Sequence, residues 1–379
     1  VSAVDAITAL TGAYEASSRL SSGVADGRPS AVISWPAVPI ELVCAAGLNA
    51  MVVRSSNAPT PAADAYLEGV AFPNRIRQLV EAVLSGEAGQ AACVVLPRTS
   101  EPDYKCFLYL RELVRRGVVR RPLATLLFDL LQSTGPEVSA YNVARTRALF
   151  ETLGALGGGA SFDRLHQQIA HANAARSALR RLVALRDGSP RITGAEALPL
   201  IGAFWQLAPE VYAPLAIAAA DSIARRPPLD GPRVLLLGAP VDGPALHATI
   251  EAHGAVVVAE TGPWGMDAAG GDVAPGIDPF VAIAEKYRRD AWGPRTPVAE
   301  YRDRIARALK NADAVVVSLP PDDAVFGWDY PWLREQLRAR QIPHVCLTHD
   351  PCQPMPPADD ERVADLVSRA TPGMEARHG

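Results

Sequence analysis

The sequence predicts an α/β protein: two similar Rossmann-like parallel-sheet domains joined by a helical segment. Three observations carry this. Short Val- and Leu-rich runs alternate with amphipathic segments of helical period, the pattern of parallel sheets covered by helices. The strand signal disappears in the middle of the chain. The strand-rich regions on either side of that gap repeat one order of parts.

Residues 1–27 open with VSAVDAITALTGAYEASSRL, whose apolar groups recur at helical spacing without a basic n-region or cleavage site. They predict a docking helix rather than a signal peptide, and the cytoplasm as the default location. The first α/β domain is expected over residues 28–133, with strands at 31–35 (AVISW), 50–54 (AMVVR), 93–97 (CVVLP) and 124–130 (ATLLFDL) and helices starting near Pro39, Pro73 and Asp103. Residues 134–228 are expected to be helical. There SFDRLHQQIAHANAARSALRRLVALRD opens on a capping Ser and carries apolar groups three to four apart. RRPPLDGPR then serves as a connector to the second domain, expected over 229–379, with strands at 234–238, 255–260, 314–319 and 344–350.

The two strand-rich regions look like copies of one unit. VISWPAVPIELVCAAGLNAMVV and VLLLGAPVDGPALHATIEAHGAVVV share strand, Pro-containing turn, helix, Gly stop and strand. Further on, VVLPRTSEPDYKCFLYLRELVRRGVVRRPLATLLFDL pairs with VVVSLPPDDAVFGWDYPWLREQLRARQIPHVCLTHD. Ligands of open parallel sheets bind at the carboxyl ends of the strands, so Arg98-Thr99-Ser100-Glu101 and Pro321-Asp322-Asp323 fall on the two functional edges. Facing domains would line one cleft with both turns.

Composition excludes several classes. At 379 residues, 49% hydrophobic and 21% charged, the chain can bury sizeable cores. A net charge of −4 and a pI near 6.0 give no electrostatic footprint for nucleic acid, and no apolar run approaches the roughly 20 residues that span a bilayer. The five cysteines, Cys44, Cys93, Cys106, Cys346 and Cys352, make no disulfide framework.

The segments PIELVCAAGLNAMVV, FPNRIRQLVEAVLSG, ANAARSALRRLVALRDGSPRITGAEAL, RVLLLGAPVDGPALHATIEAHGAVVVAE and DYPWLREQLRARQIPHVCL, in this order and spacing, carry a resemblance. The chain resembles the smaller, D-component-like subunits of the 2-hydroxyacyl-CoA dehydratase and benzoyl-CoA reductase family over nearly its whole length. The resemblance implies two α/β domains, pairing with a homologous subunit, an acyl-CoA ligand and an iron–sulfur cluster between domains. It also implies cluster cysteines at three places, which here read Phe72, Ser100 and Asp323. Clusters are held by Cys thiolates, and neither Phe nor a hard oxygen donor replaces one. The expectation is therefore no cluster in this chain, with the cluster carried by a homologous partner subunit.

The remaining candidates follow from position. Glu101 and Asp323 form a possible acid/base pair, because two carboxylates in different environments can divide the two roles. Against this, acidic residues preceding a helix commonly cap it. Ser100 as a nucleophile would need a base that the sequence does not place beside it. Arg54, Ser55 and Ser56 follow the second strand and are candidates, with Trp35 and Ser100, for contact with substrate; a solvated loop is the alternative for RSSN. Arg115, Arg116, Arg120 and Arg121 could meet CoA phosphates, or simply end a helix. Trp35, Trp264, Trp328 and Trp332 suit a pocket wall or an interface. HVCLTHDPC gathers His344, Cys346, His349 and Cys352, but strand alternation separates neighbours, so metal ligation is not expected. GAPVDG is a weak phosphate turn, since it lacks the G-x-G-x-x-G pattern. The expected function is a cluster-free subunit of a heteromeric acyl-CoA enzyme. The alternatives are a stand-alone hydratase or lyase using carboxylates, and a binding or scaffold protein without chemistry.

Overall fold

The protein is described from a computed structural model, which places residues 3–17, 27–69, 71–89, 91–119, 121, 123–290, 297–321, 323 and 325–370. Arg120 and Asp322 lie outside the described residues.

Among the described residues, eight strands form two four-stranded sheets, every pairing parallel. The first holds β1 (Ser30–Ile33), β2 (Asn49–Val52), β3 (Ala91–Pro97) and β4 (Ala124–Phe128) in the order β2-β1-β3-β4. The second holds β5 (Arg233–Gly238), β6 (Val256–Glu260), β7 (Ala314–Ser318) and β8 (His344–Leu347) in the equivalent order β6-β5-β7-β8. All eight expected strands are present, and the shared order is the one that two copies of one unit would give. β2 stops at Val52 and β8 at Leu347, so Arg54 and Asp350 stand beyond the strands rather than within them.

Strand alternation decides what each face meets. On β1 and β3, Ala31, Ile33, Cys93 and Val95 face a large shared core, while Val32, Val94 and Leu96 face a separate cluster with Ile76, Leu79, Cys106 and Leu110. On β5 and β7, Val234, Leu236 and Val316 pack with Leu246, Ile250 and Val363, and Leu235, Leu237, Val315 and Val317 pack with Ile305, Leu333 and Leu337.

The middle of the chain forms helices Pro136–Gly157, Phe162–Ala184, Gly194–Gly202 and Pro209–Ile223. Ser161 caps the second by accepting from the Arg164 N–H, and Thr193 with Glu196 makes a capping box on the third. The helix Ala3–Ala16 packs against Pro209–Ile223, as a docking helix should. Its Tyr14 ring needs Gly202, where a Cβ would come within 2.5 Å of the ring.

Two buried ion pairs join the helical layer to the sheet units. Glu41, on the helix Ile40–Ala45 behind β1, pairs with Arg176 and accepts from the Tyr287 hydroxyl at 2.8 Å. Glu260, at the end of β6, pairs with Arg186 at 2.5 Å, with His247 Nε2 3.6 Å away. None of the described helices is long and apolar enough to cross a membrane.

Candidate functional site

In a parallel sheet with this order, the strand connections depart in opposite directions between the two central strands, opening a crevice at their carboxyl ends. The crevices of the two sheets, between β1 and β3 and between β5 and β7, open into one cleft of about 580 Å³. That is an ordinary size for a small-molecule or cofactor site.

One wall comes from the first sheet. The chain leaves β1 through Ser34 and Trp35 and leaves β3 through Thr99 and Ser100, which begins the helix Glu101–Arg115. Ser100 is the helix cap: its hydroxyl accepts from the Asp103 N–H at 3.3 Å. Asp103 is wholly buried and organises this wall. It accepts from Ser34 Oγ at 2.7 Å, from both Arg75 guanidinium nitrogens at 2.9 Å, and from the Ser100 hydroxyl. Arg75 also lies over the Trp35 ring, 4.7 Å from its centroid. The wall is thus internally neutralised.

The other wall comes from the second sheet. Gly238 ends β5 at φ +101°, where a Cβ would come within 2.4 Å of the Ser318 carbonyl oxygen, so only glycine lets β5 and β7 stay this close at the edge. Ala239, Pro240 and Asp242 follow; Pro320, Asp323, Val325 and Phe326 come from the β7 end, and Asp350, Pro351 and Cys352 from the β8 end. Asp323 accepts from the N–H groups of Val325, Phe326 and Gly327 at 3.3, 3.0 and 2.8 Å, the capping role expected of an acid before a helical turn. Asp350 accepts from the Cys352 N–H at 2.9 Å. Burial, helped by Asp242 and Asp350, pushes the Cys352 thiol well above its usual range, so it is a protonated, weakly nucleophilic group.

The two walls meet at a floor. Asp242 Oδ2 accepts from the Ser55 N–H at 2.6 Å, and its backbone carbonyl accepts from the Tyr14 hydroxyl at 2.5 Å.

Of the residues singled out from sequence, Trp35, Ser55, Ser100, Glu101 and Asp323 are brought together in the cleft. Glu101 is in the first turn rather than the cap, with its side chain 70% exposed and Lys105 at 3.5 Å. Arg54 and Ser56 do not line the cleft. The Arg54 guanidinium is held behind the wall by Ser17 Oγ and the carbonyls of Tyr14 and Asp242, and stacks on the Tyr14 ring. Ser56 exchanges backbone hydrogen bonds with the Asn74 side chain. Arg115 pairs with Glu112 on the helix surface, away from the cleft. Among the tryptophans, Trp264 is buried, Trp328 is 85% exposed and Trp332 lies under Arg302. Arg75, Asp103, Asp242, Asp350 and Cys352 line the cleft without having been assigned to it from sequence.

The three places where the resemblance puts thiols are occupied by structural side chains. Phe72 is buried edge-to-face against Tyr109 at 5.4 Å, Ser100 caps its helix, and Asp323 caps the following turn. Cys352 is the one thiol lining the cleft; Cys44, Cys93 and Cys106 are buried in helices and a strand. The other polar lining groups are oxygen donors and two cations, a set that does not suit an iron–sulfur cluster. Among the described residues, no group of three or more His, Cys, Asp and Glu side chains is placed to hold a metal ion.

A family model described as 2-hydroxyglutaryl-CoA dehydratase, D-component, matches residues 37–365. No curated protein matches the chain.

Proposed function

Since the chain belongs to the 2-hydroxyglutaryl-CoA dehydratase D-component family, we propose that it is the cluster-free subunit of a heteromeric acyl-CoA enzyme. In this reading it shapes the acyl-CoA cleft and supports a homologous partner that carries the iron–sulfur cluster. The observation that supports it most directly is the fate of the three thiol places, where Phe72, Ser100 and Asp323 fill packing and capping roles while the cleft between the sheets stays open. The chain's own contribution would be to exclude water and orient the thioester. Trp35, Pro240, Pro320 and Phe326 offer apolar surface, and Ser55 and Ser100 offer polar contacts beside it.

A stand-alone hydratase or lyase draws support from one observation: Glu101 and Asp323 face the same cleft from opposite walls. Both Asp323 oxygens accept backbone N–H groups, however, which suits a cap better than a proton shuttle.

Anoxic purification of the tagged protein from its own host, with native mass spectrometry and iron quantification, tests the subunit reading. A complex with a second, iron-bearing homologue is the expected result. A lone iron-free chain or homodimer overturns it, and acyl-CoA turnover that falls in both Glu101→Gln and Asp323→Asn would establish the stand-alone enzyme instead.

A further inference from the structure

A second cavity, of about 310 Å³, lies against β5, β6 and the helix Val298–Ala308 and shares no lining residue with the cleft. Four arginines line it, Arg186, Arg233, Arg304 and Arg307, against two carboxylates, Asp187 and Asp267. Two of the four are committed, Arg233 to Asp313 and Arg304 to Asp267. The Asp187 and Arg307 side chains are exposed, and among the described residues no hydrogen bond or ion pair engages the Arg307 guanidinium.

Arg186 adds an independent observation. Its side chain is wholly buried and gives Nη1 to Glu260 Oε2 at 2.5 Å, while Nε and Nη2 have no hydrogen-bond partner among the described residues. In a guanidinium, Nε and Nη2 form one edge with two parallel N–H groups, on the side opposite Nη1. The free edge therefore faces away from Glu260, and Arg186 lines the cavity whereas Glu260 and His247 do not. Buried charged donors are seldom left unpaired, and this edge matches two oxygens of a carboxylate or a phosphate. A carboxylate would spend both oxygens on the edge. A phosphate keeps oxygens over for Arg307 and Asn311, which line the same space.

We propose that this cavity binds a small phosphate ester, its phosphate clasped side-on by Nε and Nη2 of Arg186 and met from the exposed side by Arg307. The volume is at the low end for ligand pockets, which suits a molecule of glycerol phosphate size and leaves no room for a whole CoA. The site goes beyond the subunit reading and does not depend on it.

The test is binding calorimetry on the full chain with inorganic phosphate, glycerol 3-phosphate and acetate, followed by CoA. Both phosphates should bind, with acetate weaker by about tenfold or more. Arg186→Lys keeps a cation for Glu260 and removes the paired N–H edge, so phosphate affinity should fall about tenfold while CoA affinity is unchanged. Circular dichroism checks that this variant folds. If it does not, Arg307→Gln decides: it should weaken phosphate several-fold, whereas Arg116→Gln, on the exposed end of a helix in the first unit, should leave it unchanged. Absence of phosphate binding at millimolar concentration, acetate binding as tightly as phosphate, or equal effects of Arg307→Gln and Arg116→Gln each overturn the proposal. So does a parallel loss of CoA affinity in Arg186→Lys, which would hand the arginine edge to CoA.

Discussion

The two junctions between the helical layer and the sheet units are built from the same pair of residue types and finished differently. At the first, Glu41 accepts from Arg176 and the Tyr287 hydroxyl, while Arg176 also donates to Asn173 at 2.8 Å. At the second, Glu260 and Arg186 are equally buried, but Glu260 Oε1, Arg186 Nε and Nη2 and both His247 nitrogens have no hydrogen-bond partner among the described residues. The walls of the cleft differ in the same sense. The first sheet's polar groups answer one another around Asp103, whereas Asp242, Asp323 and Asp350 on the second wall accept from backbone N–H groups. The first wall and the first junction close their polar groups internally, while the second wall and the second junction leave some of theirs without a side-chain partner among the described residues. Two sheets of the same strand order are thus finished differently at the cleft and at the helical layer.

The largest expected effect separates the junctions. Breaking a buried pair by removing one partner typically costs about 3–5 kcal/mol, and Arg176→Met should fall in that range because Glu41 is left charged and wholly buried. Arg186→Met also removes two unpartnered N–H groups and leaves His247 beside Glu260, so it should cost clearly less. Urea denaturation of both variants ranks them; equal costs would erase the distinction.

A smaller effect depends on pH. Lys286, buried at the first junction, has its pKa lowered to about 8, chiefly by burial and then by the Arg176 charge, with Asp290 opposing. An unfolded lysine titrates near 10.4. Between those values the unfolded chain binds more protons, so stability rises with pH across that window. Lys286→Met should abolish a rise of about 2 kcal/mol, read as the difference between variant and parent from pH 8 to about 10.5 so that other titrations cancel. A parallel pH dependence in both proteins would show that Lys286 is not held out of water.

The smallest effect compares the walls. Ser100→Ala removes a helix cap and should cost about 1 kcal/mol. Asp323→Asn keeps an acceptor for the Val325 and Phe326 N–H groups and loses the one for Gly327, and should cost about 0.5 kcal/mol, the low end for one hydrogen bond at a half-exposed turn. Thermal denaturation resolves the pair, and a reversed order would mean that the second wall is the stiffer one.

The eight strands are legible in the sequence because each is a short apolar run ended by a turn. The cleft is partly legible for the same reason: Trp35, Ser100 and Asp323 are named by lying just past strand ends. Direction is harder to read. Arg54 and Ser55 are adjacent in an extended stretch, whose side chains alternate, so Ser55 reaches the cleft while Arg54 turns back to Tyr14. Arg75 and Asp103 sit on different helices, and their pairing is a tertiary fact with no local signature. Asp242 hides inside a turn that reads as a weak phosphate loop, and its neighbours across the floor, Tyr14 and Ser55, come from distant parts of the chain.

The Tyr14 contact also bears on how the chain is made. Tyr14 and Asp242 are separated by 228 positions, and the helix bearing Tyr14 packs on Pro209–Ile223. During synthesis at about 5–20 residues per second, that helix leaves the ribosome long before either of its partners exists. Its apolar stripe must wait, exposed or transiently sheltered, until Pro209–Ile223 has emerged. The floor of the cleft can therefore be completed only after Asp242 has emerged, and slowing the ribosome between Tyr14 and Asp242 would lengthen the interval in which a nascent chain can be diverted to aggregation.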